Sequence, residues 1–332
     1  MESNLQVRIR NLPTQAVLAS DFELHECVVP TPGMGEVLVR NRYLSLDPYM
    51  RKRLADAVAG RVALGTGDLM MGRTVGEVIE SRDPAFRPGD EVLGWGGWQR
   101  YSAEPAARLE KVDRVPGAEP SVHLGVLGRP GITAWLGIVH VADVRAEDRL
   151  VVSSAAGAVG SLAGQMARHL GADVVGIAGG APKCEAVVRE LGWRACVDHK
   201  SETFAQDLAA ATPGGVDVCF ENVGGAVLDA TLDRMNPSGR IAVCGLISHY
   251  HSGAAYGFRN FARLLDRRLR ITAFSIDTHA ALHQRAREQL RAWFDEGVFR
   301  PWETVTQGLE NAPAAFIGML EGRGRGKTLV RV

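Results

Sequence analysis

The sequence predicts an α/β protein with two domains, one built on a doubly wound parallel sheet and one that is mostly β. The chain of 332 residues is longer than one ordinary hydrophobic core supports. Between residues 148 and 274, apolar runs alternate with helical stretches, and continuous apolar runs are typical of strands buried on both faces. Residues 1–124 instead show short alternating strands interrupted by proline and glycine, which favours a compact β domain. The six apolar runs are Leu150–Ser153, Val174–Ala178, Ala195–Val197, Val216–Phe220, Arg240–Cys244 and Leu269–Phe274.

Other segments fit the same division. Glu36–Arg40 and Val75–Ile79 alternate apolar and polar residues, as expected for half-buried strands of the β domain. Gly125–Val139 is predicted to be a helix that leads into the second domain. The strand-like tail Lys327–Val332 follows a glycine-rich loop, so we expect it to rejoin the first domain and to leave a cleft between the two domains.

Charge and composition limit the classes of partner. The 38 lysines and arginines balance the 38 aspartates and glutamates, so no net field attracts nucleic acid or anionic lipid. No signal-peptide pattern opens the chain and no apolar run approaches the ~18 residues of a membrane span. The five cysteines are odd in number and lack a C-x-x-C pair, which favours reduced thiols. We therefore expect a cytoplasmic protein that acts on a small molecule.

The most informative local feature is a run of small residues, Ser153–Gly160, that follows the first apolar strand of the α/β domain. A tight turn between a buried strand and a helix lets backbone N–H groups approach a pyrophosphate. Ala155 stands where the dinucleotide fingerprint has its first glycine, and Gly157 and Gly160 match the other two. The turn alone is equally compatible with a packing role, so its context has to decide.

The second strand of this domain favours NADP over NAD. NAD sites place a carboxylate at the end of that strand, ~20 residues past the fingerprint, whereas Ala178–Gly180 offers none. Lys183 falls in the first turn of the helix that Pro182 opens, where its charge opposes the helix dipole unless an anion neutralises it. A 2′-phosphate is such an anion; the alternative is a solvated surface lysine.

Seven strings carry a resemblance to a known family. They resemble the prostaglandin reductase and leukotriene hydroxydehydrogenase family, which includes NADP-dependent alkenal/one and curcumin reductases and belongs to the zinc-independent medium-chain dehydrogenase/reductases. The match runs nearly end to end, with the strings in the family's order. The strings are Tyr43–Arg51, Met70–Gly72, Pro130–Ala134, Ala155–Gly160, Glu221–Gly225, Cys244–Tyr250 and Asn311–Phe316.

The resemblance implies a fold and an activity. It implies a GroES-like, mostly β catalytic domain formed by residues 1–124 and 299–332, and a Rossmann NADP-binding domain formed by residues 125–298. It further implies a homodimer and NADPH-dependent reduction of a carbon–carbon double bond conjugated to a carbonyl, with hydride delivered to the β carbon. The developing enolate would be stabilised by Tyr250 and the cofactor ribose.

The resemblance also assigns site residues. Tyr250 falls on the family's active-site tyrosine, Lys183 on a 2′-phosphate contact, and Asn222 on the asparagine near the nicotinamide ribose. Tyr49, from the first domain, is a second candidate for the catalytic cleft; the alternative is a packing tyrosine beside an internal ion pair of Arg51. The other cofactor-binding candidates are Gly157, Ala158, Val159, Gly160, His199, Cys244, Gly245, Leu246, Ile247, Ser248, Phe274, Ser275, Ile276 and Gly324.

Three positions depart from the family pattern. His199 stands where the family has a tyrosine on the 2′-phosphate, and an imidazole is charged below about pH 6.5, so the NADP preference would depend on pH. Gly324 replaces an asparagine that touches the cofactor. Residues 251–258 replace a proline-rich loop, which leaves the substrate range open.

Tyr250 has two interpretations. A phenol with a pKa near 10 is protonated at neutral pH and can donate to a developing enolate oxygen; alternatively, its ring only shapes the pocket wall. The histidines of His249-Tyr250-His251 lack a cysteine or acidic partner at ligand spacing, so no metal site is predicted.

The sequence alone is compatible with other activities. A zinc-free quinone reductase and an allylic alcohol dehydrogenase are the alternative enzymes. An NADPH-binding structural or RNA-binding protein is the alternative outside enzymes, and zero net charge disfavours the RNA-binding form.

Overall fold

We describe a computed structural model of the protein, covering residues 3–55, 64–249 and 256–332. The chain divides into two compact units. Unit 1 comprises residues 1–124 and 303–332, and unit 2 comprises residues 125–302. The return to unit 1 falls at residue 303, four residues later than the sequence suggested. Arg300 belongs to unit 2 because its N–H donates to Gln165 Oε1 at 2.7 Å and its side chain donates to the Glu190 carbonyl oxygen.

Unit 1 is built mainly of β-structure. Strands β1 and β2 form an antiparallel pair, and the others form a seven-stranded sheet in the order β14-β15-β3-β4-β5-β7, with β6 also pairing with β3. The C-terminal strand β15 pairs antiparallel with β3, so the chain end is part of this sheet. The strands are β1 (Ser3–Ile9), β2 (Phe22–Val28), β3 (Glu36–Ser45), β4 (Thr74–Ser81), β5 (Glu91–Gly94), β6 (Tyr101–Pro105), β7 (Glu110–Lys111), β14 (Glu303–Gln307) and β15 (Lys327–Arg331).

An aromatic cluster forms the core of unit 1 beside helices α1 (Tyr49–Ala55) and α9 (Ala312–Leu320). The Trp98 ring stacks on Phe22 with centroids 5.5 Å apart and meets Phe316 edge-on at 5.7 Å. The buried Lys327 ammonium donates to Asp47 Oδ1 at 2.8 Å, so the charge that β15 brings inside is neutralised.

Unit 2 is a doubly wound α/β fold, which confirms the predicted fold class. Its six parallel strands lie in the order β10-β9-β8-β11-β12-β13, the arrangement in which two βαβαβ halves wind outward from the centre. The strands are β8 (Arg149–Ser153), β9 (Asp173–Ala178), β10 (Ala195–Asp198), β11 (Val216–Glu221), β12 (Met235–Val243) and β13 (Arg270–Ala273).

Helices cover this sheet because its strands are apolar on both faces. Val151, Val175, Ile177 and Val197 pack into a buried cluster with residues of the later strands and helices. The predicted helix after residue 125 begins at Arg129 and continues beyond α2 as a π-helical stretch, Leu136–Val141. The helices are α2 (Arg129–Trp135), α3 (Gly160–His169), α4 (Ala181–Leu191), α5 (Phe204–Ala211), α6 (Gly225–Arg234), α7 (Arg263–Asp266) and α8 (His283–Asp295).

The winding direction reverses between β8 and β11, which are neighbours in the sheet. In open α/β sheets, ligands bind beyond the carboxyl ends of the strands at such a reversal. Within residues 3–55, 64–249 and 256–332, each helix is too short or too polar to span a bilayer.

Candidate functional site

The turn after β8 lies at the reversal and has the geometry that a fingerprint requires. Ser154 adopts a left-handed conformation with φ 53°, and the Gly157 N–H donates to the Ser154 carbonyl oxygen at 2.8 Å. A Cβ atom on Gly160 would overlap that same oxygen, and one on Gly157 would lie 2.7 Å from Ser154 Oγ. The two glycines therefore allow the turn and the first residue of α3 to pack closely.

The first turn of α3 presents the chemistry of an anion site. Val159 precedes the helix and supplies no side-chain cap, and the first turn holds no acidic residue. The N–H groups at the start of a helix have no intrahelical acceptor, and the helix dipole adds about half a positive charge there. A pyrophosphate supplies the missing acceptors.

A buried carboxylate organises the opposite side of the reversal, and the sequence analysis did not assign it a role. Glu221 ends β11 and is fully buried; its Oε1 accepts from Ser153 Oγ at 3.0 Å and from the N–H groups of Val223 at 2.5 Å and Gly224 at 2.6 Å. Burial raises the pKa of Glu221, and the hydrogen bonds from Gly224, Val223 and Ser153 oppose that rise. Glu221 thereby fixes the backbone after β11.

Ser153 completes this arrangement and positions Asn222. The Asn222 N–H donates to Ser153 Oγ at 2.7 Å, and Asn222 Nδ2 donates to the Ser153 carbonyl oxygen, also at 2.7 Å. Hydrogen bonds between residues that are 68 and 69 positions apart in the chain therefore join the end of β8 to the end of β11. A buried serine followed by small residues gave no sequence signal for this role.

The loop after β12 follows the same edge of the sheet. The N–H groups of Cys244 and Gly245 donate to the Glu221 carbonyl oxygen at 2.8 and 3.2 Å, and Ser248 Oγ donates to the Val223 carbonyl oxygen at 2.6 Å. Burial, with Glu221 nearby, raises the pKa of the Cys244 thiol to about 12, so this thiol is protonated at neutral pH. Cys244–Ser248 is thus held beside Asn222 and Val223.

The end of β13 reaches this edge as well. The Phe274 N–H donates to the Val243 carbonyl oxygen at 3.2 Å, and its ring meets Phe220 at 6.3 Å between centroids. Ser275 Oγ accepts from the Asp277 N–H, and Ile276 is buried. The structure therefore brings the predicted residues after β8, β11, β12 and β13 to one edge of the sheet in unit 2.

A second cluster lies where β9 and β10 end. A Cβ atom on Gly179 would lie 2.9 Å from His199 Nε2 and 3.2 Å from Lys200 Cε, so these two side chains fold over the glycine. Lys183 is the third residue of α4, which follows Gly180 directly. Asp198 supports the cluster, since its Oδ1 accepts from the N–H groups of Gly180 at 2.8 Å and Lys200 at 2.9 Å.

The electrostatics of this cluster favour an anion. Burial and the neighbouring Lys200 charge lower the pKa of Lys183. Burial is also the main cause of a lowered pKa at His199; Asp198 opposes it, while Lys200 and Lys183 add to it. The positive charge of Lys200 thus acts against the protonated forms of Lys183 and His199, and a dianion bound among the three side chains would favour those forms. Lys200 is a second lysine at this cluster, and the sequence analysis left it out of the site although it follows His199 directly.

Two of the candidates, Tyr49 and Gly324, belong to unit 1. Tyr49 begins α1 and packs against the aromatic core. Arg51 donates to the Gln15 carbonyl oxygen, and Asp47 pairs with Lys327. Gly324 lies near Thr304, whose Oγ1 accepts from the Arg325 N–H at 3.0 Å. Tyr250 lies outside the described residues.

Two family models match the chain. One, described as the N-terminal domain of oxidoreductase, matches residues 5–112, and the other, described as zinc-binding dehydrogenase, matches residues 158–292. In the part of the chain that the structure describes, no group of three or more His, Cys, Asp or Glu side chains is arranged to hold a metal ion. The described residues thus do not fit a zinc site.

Curated proteins are similar along nearly the whole chain. The NADPH-dependent curcumin reductase of Escherichia coli is 42% identical over 327 residues, covering 96% of this chain and 94% of that protein. The NADP(+)-dependent 2-alkenal reductase of Nicotiana tabacum is 38% identical over 341 residues, with 99% and 98% covered. Among solved structures, CurA from Vibrio vulnificus in complex with NADPH is 39% identical, with a TM-score of 0.92 and 99% of both chains covered.

Proposed function

Because the chain belongs to the NADP-dependent curcumin and alkenal reductases of the medium-chain dehydrogenase/reductase family, we propose that it reduces the carbon–carbon double bond of an α,β-unsaturated aldehyde or ketone with NADPH. The observation that carries the proposal is the pairing of the α3 turn with the Lys183, His199 and Lys200 cluster on adjoining strand ends of one sheet. The proposal also fits the names of the relatives, both of which are reductases that use this cofactor.

The adenine half of the cofactor is assigned to the first three strands of unit 2. The N–H groups at Gly157–Gly160 would hold the pyrophosphate, and Lys183, His199 and Lys200 would hold the 2′-phosphate. The strand ends of β8, β9 and β10 are neighbours in the sheet, so one extended dinucleotide can reach both anion sites.

The nicotinamide half is assigned to the ends of β11, β12 and β13. Asn222, Cys244–Ser248 and Phe274–Ile276 follow these strands and would flank the nicotinamide and its ribose. Support for this assignment comes from the hydrogen bonds that hold Asn222 to Ser153 and Ser248 to Val223. Side chains fixed in this way orient a bound ring without further reorganisation.

When bound, NADPH supplies the hydride that reaches the β carbon of the substrate. The chain must then stabilise the negative charge that develops on the carbonyl oxygen, and one such donor is worth ~2.7–4 kcal/mol in comparable oxyanion sites. We assign that donor to Tyr250, whose phenol is protonated at neutral pH. A proton from solvent then adds to the α carbon of the enolate, so the carbonyl is retained and the product is a saturated aldehyde or ketone.

The test is NADPH consumption with a panel of enals, enones and quinones of increasing size, with product analysis by mass spectrometry. We expect products two hydrogens heavier than the enal or enone, with the carbonyl retained. Turnover of quinones alone, or formation of an allylic alcohol, would contradict the proposal. The homodimer implied by the resemblance is a separate part of this proposal, and sedimentation velocity at micromolar concentration tests it.

A further inference from the structure

A buried carboxylate on α6, outside the assigned contacts, holds the chain that follows β12. Asp229 is 4% exposed and lies in the middle of α6. Its Oδ1 accepts from the N–H groups of Asn260 at 2.8 Å and Arg259 at 3.1 Å. In return, Asn260 Nδ2 donates to the Asp229 carbonyl oxygen at 3.0 Å. One residue of α6 thus fixes the backbone at two successive positions of the later chain.

The chemistry of this contact favours an anchoring role. A buried carboxylate is costly unless hydrogen-bond donors satisfy it, and here the donors at the shortest distances are backbone N–H groups. The Tyr256 hydroxyl lies farther away, at 3.3 Å from Asp229 Oδ2, so the two N–H groups carry the anchor. Asp233, one turn further along α6, is 46% exposed and instead pairs with the Arg263 side chain at 3.0 Å. The two aspartates of α6 therefore differ, and only the buried one of this pair binds backbone.

The same helix also receives the other end of this loop. Ser248 Oγ donates to the Val223 carbonyl oxygen at 2.6 Å, two residues before α6 begins. A Cβ atom on Gly225, the first residue of α6, would lie 3.4 Å from Ser248 Oγ and 3.9 Å from Tyr256 Cδ2. Ser248 and Tyr256 therefore lie over the same turn. The chain leaves the start of α6 at Ser248 and returns to it at Tyr256, and seven residues separate the two in the sequence.

We propose that Asp229 is a positioning residue for the reduction, because it fixes the returning end of the loop that carries Tyr250. Tyr250 itself lies outside the described residues, two positions after Ser248 in the sequence. This inference rests on the proposed function, in which the Tyr250 phenol donates to the enolate oxygen. A loop held at both ends on one helix has less conformational freedom to lose when the substrate binds. A donor misplaced by about 1 Å lowers a rate by as much as ~100-fold.

Kinetics of the full-length protein with an enone and NADPH test this role. Asp229→Ala removes both acceptor oxygens, and we expect kcat to fall about 10- to 100-fold. The Kd for NADPH should change little, since Ser248 keeps its own hydrogen bond to Val223. Asp229→Asn keeps one oxygen for the N–H groups, so it should restore most of that kcat. Asp233→Ala, the same change one turn along α6, is the matched control and should retain the wild-type kcat. A folded Asp229→Ala protein with an unaltered kcat would overturn the role.

A double-mutant cycle separates positioning from a general loss of stability. In a Tyr250→Phe background the donor is already absent, so Asp229→Ala should lower kcat much less than it does in the wild type. The same factor in both backgrounds would show that Asp229 does not act through Tyr250, and the proposal would fail. If Asp229→Ala does not fold, Asn260→Ala takes its place, because it removes the Nδ2 bond and leaves α6 intact. We expect Asn260→Ala to lower kcat about 2- to 10-fold, again only with Tyr250 present.

Limited proteolysis tests the anchor without reference to activity. Trypsin cleaves after Arg259, and cleavage needs the local chain to open, which breaks the hydrogen bonds to Asp229. We expect Asp229→Ala to be cut at Arg259 about tenfold faster than the wild type, and Asp233→Ala to be cut at the wild-type rate, with the site identified by mass spectrometry. Equal rates for the wild type and Asp229→Ala would refute the anchor. A wild-type protein that reduces no enal or enone would instead refute the proposed function, and with it the kinetic role of Asp229, whereas the cleavage rates would still decide the anchor.

Discussion

Asp198 and Gly180 join the ends of two strands: Asp198 Oδ1 at the end of β10 accepts the N–H of Gly180, which follows β9 and precedes α4, at 2.8 Å. The same oxygen accepts from the Lys200 N–H, and these backbone hydrogen bonds are the main causes of the lowered pKa of Asp198. A single carboxylate therefore positions the backbone on both sides of the proposed 2′-phosphate site.

Lys183→Ala and Lys200→Ala are each expected to raise the Kd for NADPH by about 10- to 100-fold, because each removes a charge-assisted contact of ~1.5–3 kcal/mol. The Kd for NADH should be unchanged, since NADH lacks the 2′-phosphate. Fluorescence titration with both cofactors measures the effect. Lys111→Ala, which changes a lysine of unit 1 paired with Asp90, is the matched control. Equal losses for the two cofactors would contradict the assignment.

NADPH affinity is expected to rise as pH falls through the range in which His199 titrates. Without cofactor, burial keeps the pKa of His199 below its ordinary value of 6.5, so the ring is neutral at pH 7. A bound phosphate dianion favours the imidazolium and raises that pKa, so binding takes up a proton. The gain in NADPH affinity is complete below the pKa that His199 has in the free protein. It is lost above the pKa that His199 has in the complex.

Calorimetry in buffers of different ionisation enthalpy, between pH 8 and 6.5, measures this proton uptake. His199→Asn should remove most of the uptake for NADPH. NADH serves as the control cofactor in the same buffers, and it should show little uptake with either protein. A wild-type affinity for NADPH that stays flat across this range would contradict the role of His199.

Ser153→Ala is expected to lower the free energy of unfolding by ~1–3 kcal/mol, because it leaves the buried Glu221 carboxylate and the Asn222 N–H each without one hydrogen-bond partner. It should also lower kcat/KM, since Asn222 is positioned by Ser153. Urea denaturation and steady-state kinetics measure the two effects. The control is Ser121→Ala, which breaks a serine–carboxylate bond to Glu303 within unit 1. It should cost stability and leave the Kd for NADPH unaltered.

Gly160→Ala is expected to destabilise the protein by more than ~2 kcal/mol, because the added Cβ atom would overlap the Ser154 carbonyl oxygen and force α3 away from the turn. Thermal unfolding and NADPH titration measure the change. Gly257→Ala is the control, since a Cβ atom there meets nothing within 4 Å. If the two variants have the same Tm, the close approach at Gly160 is unimportant.

Tyr250→Phe is expected to lower kcat with an enone by about 100- to 1,000-fold while the Kd for NADPH changes less than twofold, because it removes one donor to the enolate oxygen. Single-turnover kinetics measure the chemical step. Tyr256→Phe, which changes a tyrosine whose hydroxyl donates to Asp229, should leave kcat nearly unchanged. An unaltered kcat in the Tyr250 variant would assign that ring to the pocket wall.

Much of unit 2 was predictable because its signals are local. Six apolar runs, the small-residue turn at Ser153–Gly160 and the helix opened by Pro182 are each encoded within a few neighbouring residues. The structure has a strand at each run, a turn between β8 and α3, and a helix at Ala181–Leu191. The predicted return to unit 1 at residue 299 was less accurate. That boundary depends on the hydrogen bond of Arg300 to Gln165, which lies 135 positions away.

The sequence by itself determined the fold class, the small-residue turn after β8, the missing carboxylate after β9 and the cation at Lys183, since each follows from residue type and short spacing. Only the tertiary structure decided which strand ends are neighbours. It placed Ser153 against Glu221, and Lys200 beside His199 over Gly179. Sheet order and helix packing set these distances, and both depend on burying apolar surface over the whole domain rather than on any local pattern.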